Sequence, residues 1–104
     1  MKTPQREQVR RALEALRARF VDELERDVAR LRDARADTEV DAAEVAHDSE
    51  ELREIAAALR RLDDGSYGIC VDCGAEIDAA RLHAEPAAAR CVACQARHEK
   101  TYRR

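Results

Sequence analysis

The chemistry of this chain is concentrated in four cysteines. Cys70 and Cys73 have two residues between them, Cys91 and Cys94 likewise, and seventeen residues separate the pairs. Two Cys-x-x-Cys turns at that distance suit zinc. The ion takes four ligands in a tetrahedron at about 2.3 Å per sulfur, and a connector of about 15–20 residues can bring two such turns together. Four thiolates leave no open position for water or substrate, so the predicted ion is structural rather than catalytic. Gly74, directly after the first pair, suits the left-handed backbone of a tight knuckle, and Gly68 relaxes the approach to it. A thioredoxin-type redox pair would need only one such turn in a βαβ setting, and buried structural thiols would not repeat the same interval. His83 and His98 are read as surface or packing residues because the cysteines already fill the tetrahedron. His47, among acids, has no partner at ligand spacing.

The apolar residues around these ligands, Ile69, Val71, Ile77, Leu82 and Val92, are too few to fold the segment unaided, so the metal is expected to take the place of a core. The connector GAEIDAARLHAEPAAAR is expected to hold a short strand or turn followed by irregular chain. From Cys94, CQARHEKTYRR reads as a short final helix packed against what precedes the finger.

What precedes it is helical. Apolar residues fall at Val9, Leu13, Leu16, Phe20, Leu24, Val28 and Leu31, advancing about 3.67 residues per step, so the stripe runs nearly straight along one helix. A second stripe at Val45, Leu52, Ile55, Leu59 and Leu62 has coiled-coil spacing, interrupted by polar Asp48 and Ser49. Thr38 with Asp41 three residues later has the form of a capping box, which puts the turn near Ala36 to Thr38 and makes the helices antiparallel neighbours. Gly65, among Asp63, Asp64 and Ser66, should end the second helix. The predicted fold class is therefore mainly α: an antiparallel helical hairpin (coiled coil), a small four-cysteine zinc finger and a short C-terminal helix. Residues 1–64 form the hairpin, with its acidic tip near 36–41, and residues 65–104 form the finger with the final helix.

Composition agrees with a slender molecule. The chain has 104 residues, of which 39% are charged and 3% aromatic, so a large core is excluded. Residues 21–64 carry seven basic and fifteen acidic side chains, which argues against duplex DNA as the main partner. Residues 37–51 hold seven acids and no Lys or Arg, more than a helix cap needs. No apolar run reaches the roughly 20 residues of a membrane span, and the start has no secretory pattern, so a cytoplasmic chain is expected. Nothing pairs a nucleophile with a base, opens a metal position or cradles phosphate, so an enzyme is not expected.

From Gly65 to Gln95 the chain resembles the DksA/TraR family of bacterial zinc-finger transcription regulators. The likeness rests on Tyr67-Gly68-x-Cys70-x-x-Cys73-Gly74, Glu76-Ile77, Arg81-Leu82 before Pro86, and Cys91-x-x-Cys94-Gln95. It implies binding to RNA polymerase through the secondary channel, with the acidic tip modulating initiation and without sequence-specific DNA contact. The chain departs from longer relatives in starting almost at once with its helix, so a short member without their extra N-terminal globular segment is expected, and a monomer. The family's tip carries two aspartates three apart, followed by alanine; here that pattern aligns as Thr38-x-x-Asp41-x-Ala43, with Asp37 one residue off register. The alternative reading is a zinc-stabilised helical adaptor for another basic protein, with cysteines that respond to oxidation.

Overall fold

Alanine, arginine, leucine and glutamate, all strong helix formers, dominate the chain before the finger. The computed structural model describes residues 3–32 and 42–102, and these form α1 (Thr3–Arg32), α2 (Ala42–Asp64), α3 (Ala79–Ala84) and α4 (Val92–Tyr102). Pro4 stands in the first turn of α1, where its missing N–H has no intrahelical acceptor to lose.

The first two helices run antiparallel. Arg10 Nη2 meets Asp63 Oδ1 at 2.6 Å, Arg6 Nη2 donates to the Leu62 carbonyl at 3.2 Å, and Asp27 faces Asp48 farther along. The two predicted stripes meet between them. Leu13, Ile55, Ala58, Leu62 and Tyr67 are buried together, flanked by Val9, Leu16, Phe20 and Leu59. Each aliphatic side chain removed from water here contributes about 1.5–3 kcal/mol. The proposed turn and the Thr38/Asp41 capping box lie outside the described residues.

At the end of α2 the chain turns as its residues require. Gly65 takes φ +87°, the Ser66 amide donates to the Arg61 carbonyl at 2.9 Å, and Asp64 Oδ1 accepts from the Ser66 amide and hydroxyl. The finger follows. Ile69 and Glu76 form an isolated antiparallel bridge, but a helix interrupts the irregular chain expected after it. Residues Ala79–Ala84 make α3, because Asp78 is followed by Ala-Ala-Arg-Leu and the helix can run until Glu85, which Pro86 forces out of helical backbone. The last helix also differs from expectation: α4 begins at Val92, two residues before the expected start at Cys94, so Cys94 stands within its first turn.

Finger and hairpin share packing. Tyr67 is part of the hairpin core, and Leu82 packs against both that core and the cysteine cluster. The Tyr67 hydroxyl donates to the Pro86 carbonyl at 2.8 Å, pinning the loop after α3 onto the hairpin base. The Cα radius of gyration is 16.1 Å, against about 13 Å for a compact chain of this length, as a projecting hairpin demands. No helix among the described residues is long and apolar enough to cross a membrane.

Candidate metal centre

The two Cys-x-x-Cys segments arrive from different kinds of structure. Cys70 and Cys73 sit on a turn whose backbone closes by Gly74 N–H donating to the Cys70 carbonyl at 3.0 Å, and Gly74 takes φ +76° to allow it. Cys91 immediately precedes α4 and Cys94 lies inside it, with the Gln95 amide donating to the Cys91 carbonyl at 2.8 Å. The fold thus supplies one pair from a loop and one from a helix start.

All four sulfurs lie within 4.8 Å of one another, and Cys73 Sγ is 3.9 Å from Cys91 Sγ. A tetrahedron with bonds of 2.3 Å has edges of about 3.8 Å. The spacing therefore fits four thiolates around one zinc ion and is far from the roughly 2.05 Å of a disulfide; all four thiols are free. Every cysteine singled out from the sequence is in this cluster. His83 is exposed and His98 half-buried, and neither belongs to it.

The four corners are unequal. Cys70 and Cys94 are each only 2% exposed, whereas Cys73 faces solvent and Cys91 is half-buried. The Cys73 amide, helped by those of Cys91 and Asp72, outweighs burial and holds the Cys70 thiol down to about 6. Burial, followed by hydrogen bonds to the other three thiols, pushes the Cys94 thiol up to about 12. One corner ionises readily and another resists until a metal ion displaces its proton, which is how a thiol cluster couples metal uptake to proton release.

Side chains tie the knuckles together. Arg90 Nε donates to Asp72 Oδ2 at 2.7 Å, joining the residue before Cys91 to the loop between Cys70 and Cys73. The Val71 amide donates to the Ala89 carbonyl at 2.9 Å, and Arg81 Nε to the Arg90 carbonyl at 2.8 Å. Arg97 Nη2 reaches Cys94 Sγ at 2.9 Å. Of these side chains, Arg90, Asp72 and Arg97 are not singled out by the sequence. The available signal was helical spacing, since Arg97 lies three residues beyond Cys94 on one face.

Of the predicted tip residues, Asp37, Thr38 and Asp41 lie outside the described residues, and Ala43 is the second residue of α2. Beside the metal cluster a cleft of about 890 Å³ separates hairpin from finger; four arginines and four glutamates line it, so neither sign of charge dominates.

A family model described as the prokaryotic dksA/traR C4-type zinc finger matches residues 65–100. The RNA polymerase-binding transcription factor DksA of Caulobacter vibrioides is 48% identical over 52 residues, covering 50% of this chain and 37% of that protein. The factor of the same name from Escherichia coli K12 is 33% identical over 99 residues, covering 83% of this chain and 66% of that protein. The chain thus spans less than two thirds of either relative. Among solved structures, transcription factor DksA2 from Pseudomonas aeruginosa superimposes with a TM-score of 0.78 at 27% identity, over 99% of this chain and 89% of that one. The RNA polymerase-binding regulator Dks from Chlamydia trachomatis gives 0.73 at 26% identity, over 100% and 98%. Likeness runs from the cysteine knuckles through both long helices, and the chain belongs to the DksA/TraR family of C4-type zinc-finger proteins.

Proposed function

We propose that this chain is a transcription regulator that binds RNA polymerase, with its hairpin entering the secondary channel and its acidic tip altering initiation. The observation that carries this reading is the superposition on DksA2, which takes in hairpin and finger together over 99% of the chain. The names of the Caulobacter and Escherichia coli relatives supply the partner. Charge supports it: an acidic rod is attracted to a cavity lined with basic groups around a catalytic metal ion. In this reading Cys70, Cys73, Cys91 and Cys94 hold one structural zinc that stiffens the base of the rod. Asp37, Thr38, Asp41 and Ala43 form the contacting tip. The chain acts as a cytoplasmic monomer, performs no chemistry of its own, and reads no DNA sequence.

The test is co-purification of the zinc-loaded chain with core RNA polymerase, followed by transcription from purified components. Wild type binds, and Asp41→Ala changes transcript yield while keeping most of the binding. Failure of wild type to bind the polymerase rejects the proposal, and capture of a different basic protein in its place would favour the adaptor reading.

A further inference from the structure

Four thiolates around one divalent cation carry a net charge of about −2, and a buried cluster of that charge needs donors and cations around its sulfurs. The corners obtain them differently. Cys70 draws on backbone amides of Cys73, Cys91 and Asp72, and Cys91 Sγ accepts the Cys94 amide at 3.5 Å. Cys94, as deeply buried as Cys70, receives a side-chain cation instead: Arg97 Nη2 at 2.9 Å, from one turn farther along α4. A guanidinium stays protonated at any physiological pH, so this donor brings a full positive charge and a fixed planar geometry to the sulfur.

Position makes the contact informative. Arg97 is an exposed residue, yet its guanidinium turns back onto the buried sulfur. Elsewhere in the cluster Cys73 is open to water and Cys91 partly so. A competing ligand therefore meets Cys73 and Cys91 before Cys70 and Cys94.

We propose that Arg97 is a positioning residue for the metal: it anchors the Cys94 thiolate as the last ligand to let go, and so sets how slowly the finger surrenders zinc. This rests on the four cysteines holding zinc. The exchange is a substitution without redox change: at each step a zinc–sulfur bond breaks, a donor atom of the competitor bonds to zinc, and the freed thiolate takes a proton from water.

The experiment uses the full zinc-loaded chain and follows transfer to the chromogenic chelator 4-(2-pyridylazo)resorcinol by absorbance at fixed pH. Removing a partner that orients a metal ligand typically costs about 10–100-fold in affinity, so Arg97→Ala should hand over zinc at least about tenfold faster. Arg97→Lys, which keeps the charge, should recover most of the wild-type rate; Arg97→Gln, which keeps a donor but no charge, should stay fast. The cobalt(II)-substituted chain provides a second readout, because the sulfur-to-cobalt charge-transfer band should move in Arg97→Ala while helicity is unchanged. Trapping freed thiols with N-ethylmaleimide during transfer should label Cys73 before Cys94 in wild type and lose that order in Arg97→Ala. Transfer by all three variants within about twofold of wild type overturns the proposal. So does equal acceleration by Lys, Gln and Ala, which would point to helix packing rather than charge. A wild-type chain that carries no zinc at all defeats the metal assignment itself.

Discussion

The hairpin base and the finger solve the same problem with different materials. The base excludes water with Leu13, Ile55, Ala58 and Leu62, spread over two long helices and joined by Tyr67. The finger has Ile77 and Leu82 as its packed aliphatic residues, with Cys70 and Cys94 filling the rest of its interior. Thiols that are core atoms in one state are metal ligands in the other, so the finger's order depends on an ion while the hairpin's depends on area. The segments communicate through Leu82 and Tyr67, which touch the apolar base from the finger side.

The largest expected effect follows directly. Stripping the metal with a strong chelator removes a contribution of about 10–16 kcal/mol in comparable structural sites. Backbone amides of the finger that donate in its turns, such as those of Cys70, Val71 and Ile77, should lose protection from hydrogen exchange. Amides in the middle of α1 and α2 should keep theirs. A single cooperative loss of all protection would break the comparison and make the two segments one folding unit.

The reverse experiment attacks the base. Leu13 is fully buried, and Leu13→Ala removes three carbons from a site bounded by two rigid helices, with an expected cost of about 2–5 kcal/mol by denaturant titration. Zinc content measured by native mass spectrometry should stay at one ion per chain. Loss of the ion in this variant would show that the finger borrows its order from the hairpin.

Tyr67 sits where the two meet, and its effect should be smaller. Tyr67→Phe keeps the ring in the hairpin core but removes the hydroxyl that donates to the Pro86 carbonyl, at a cost of about 0.5–1.5 kcal/mol. The change should raise hydrogen exchange at Ala88, whose amide bonds within the loop after α3, more than at residues of α2.

How much of this could be read from residue order depends on the range of the interaction. Periodicity placed Leu13, Ile55 and Leu62 on facing stripes, and repeated Cys-x-x-Cys intervals placed the ligands, because both signals lie within a few residues of each other. The six-residue α3 was not legible: its run is too short for a helical period to declare itself, and Pro86 draws attention as a breaker rather than as a stop. Arg90–Asp72 and Tyr67–Pro86 join residues 18 and 19 positions apart, pairings that exist only once the knuckles close. Asp48 was legible as a polar break in the second stripe, but its partner was not, since nothing local in α1 marks Asp27.

That partner gives the upper hairpin a character unlike its base. Asp27 and Asp48 are 8% and 6% exposed, facing one another where the lower seam would have leucine. Arg30 Nη1 reaches Asp27 at 3.3 Å, while Asp48 is pushed above the usual carboxylate range, first by burial, then by its hydrogen bond to Asp27 and by the charges of Asp27 and Glu23; His47 opposes the shift. A carboxyl group whose affinity for its proton is higher folded than unfolded stabilises the fold when protonated. For Asp48 that contribution is complete below the ordinary value of 3.8 and is lost as pH rises through the raised folded value. The hairpin should therefore melt at a higher temperature just below that window than above it. Asp48→Asn keeps a donor facing Asp27 and removes one buried charge, so at neutral pH it should raise the melting temperature slightly, and it should flatten the pH profile through the window. A variant that melts lower than wild type at neutral pH, with the profile unchanged, would mean that Asp48 is held charged by cations and that the upper seam is as satisfied as the lower one.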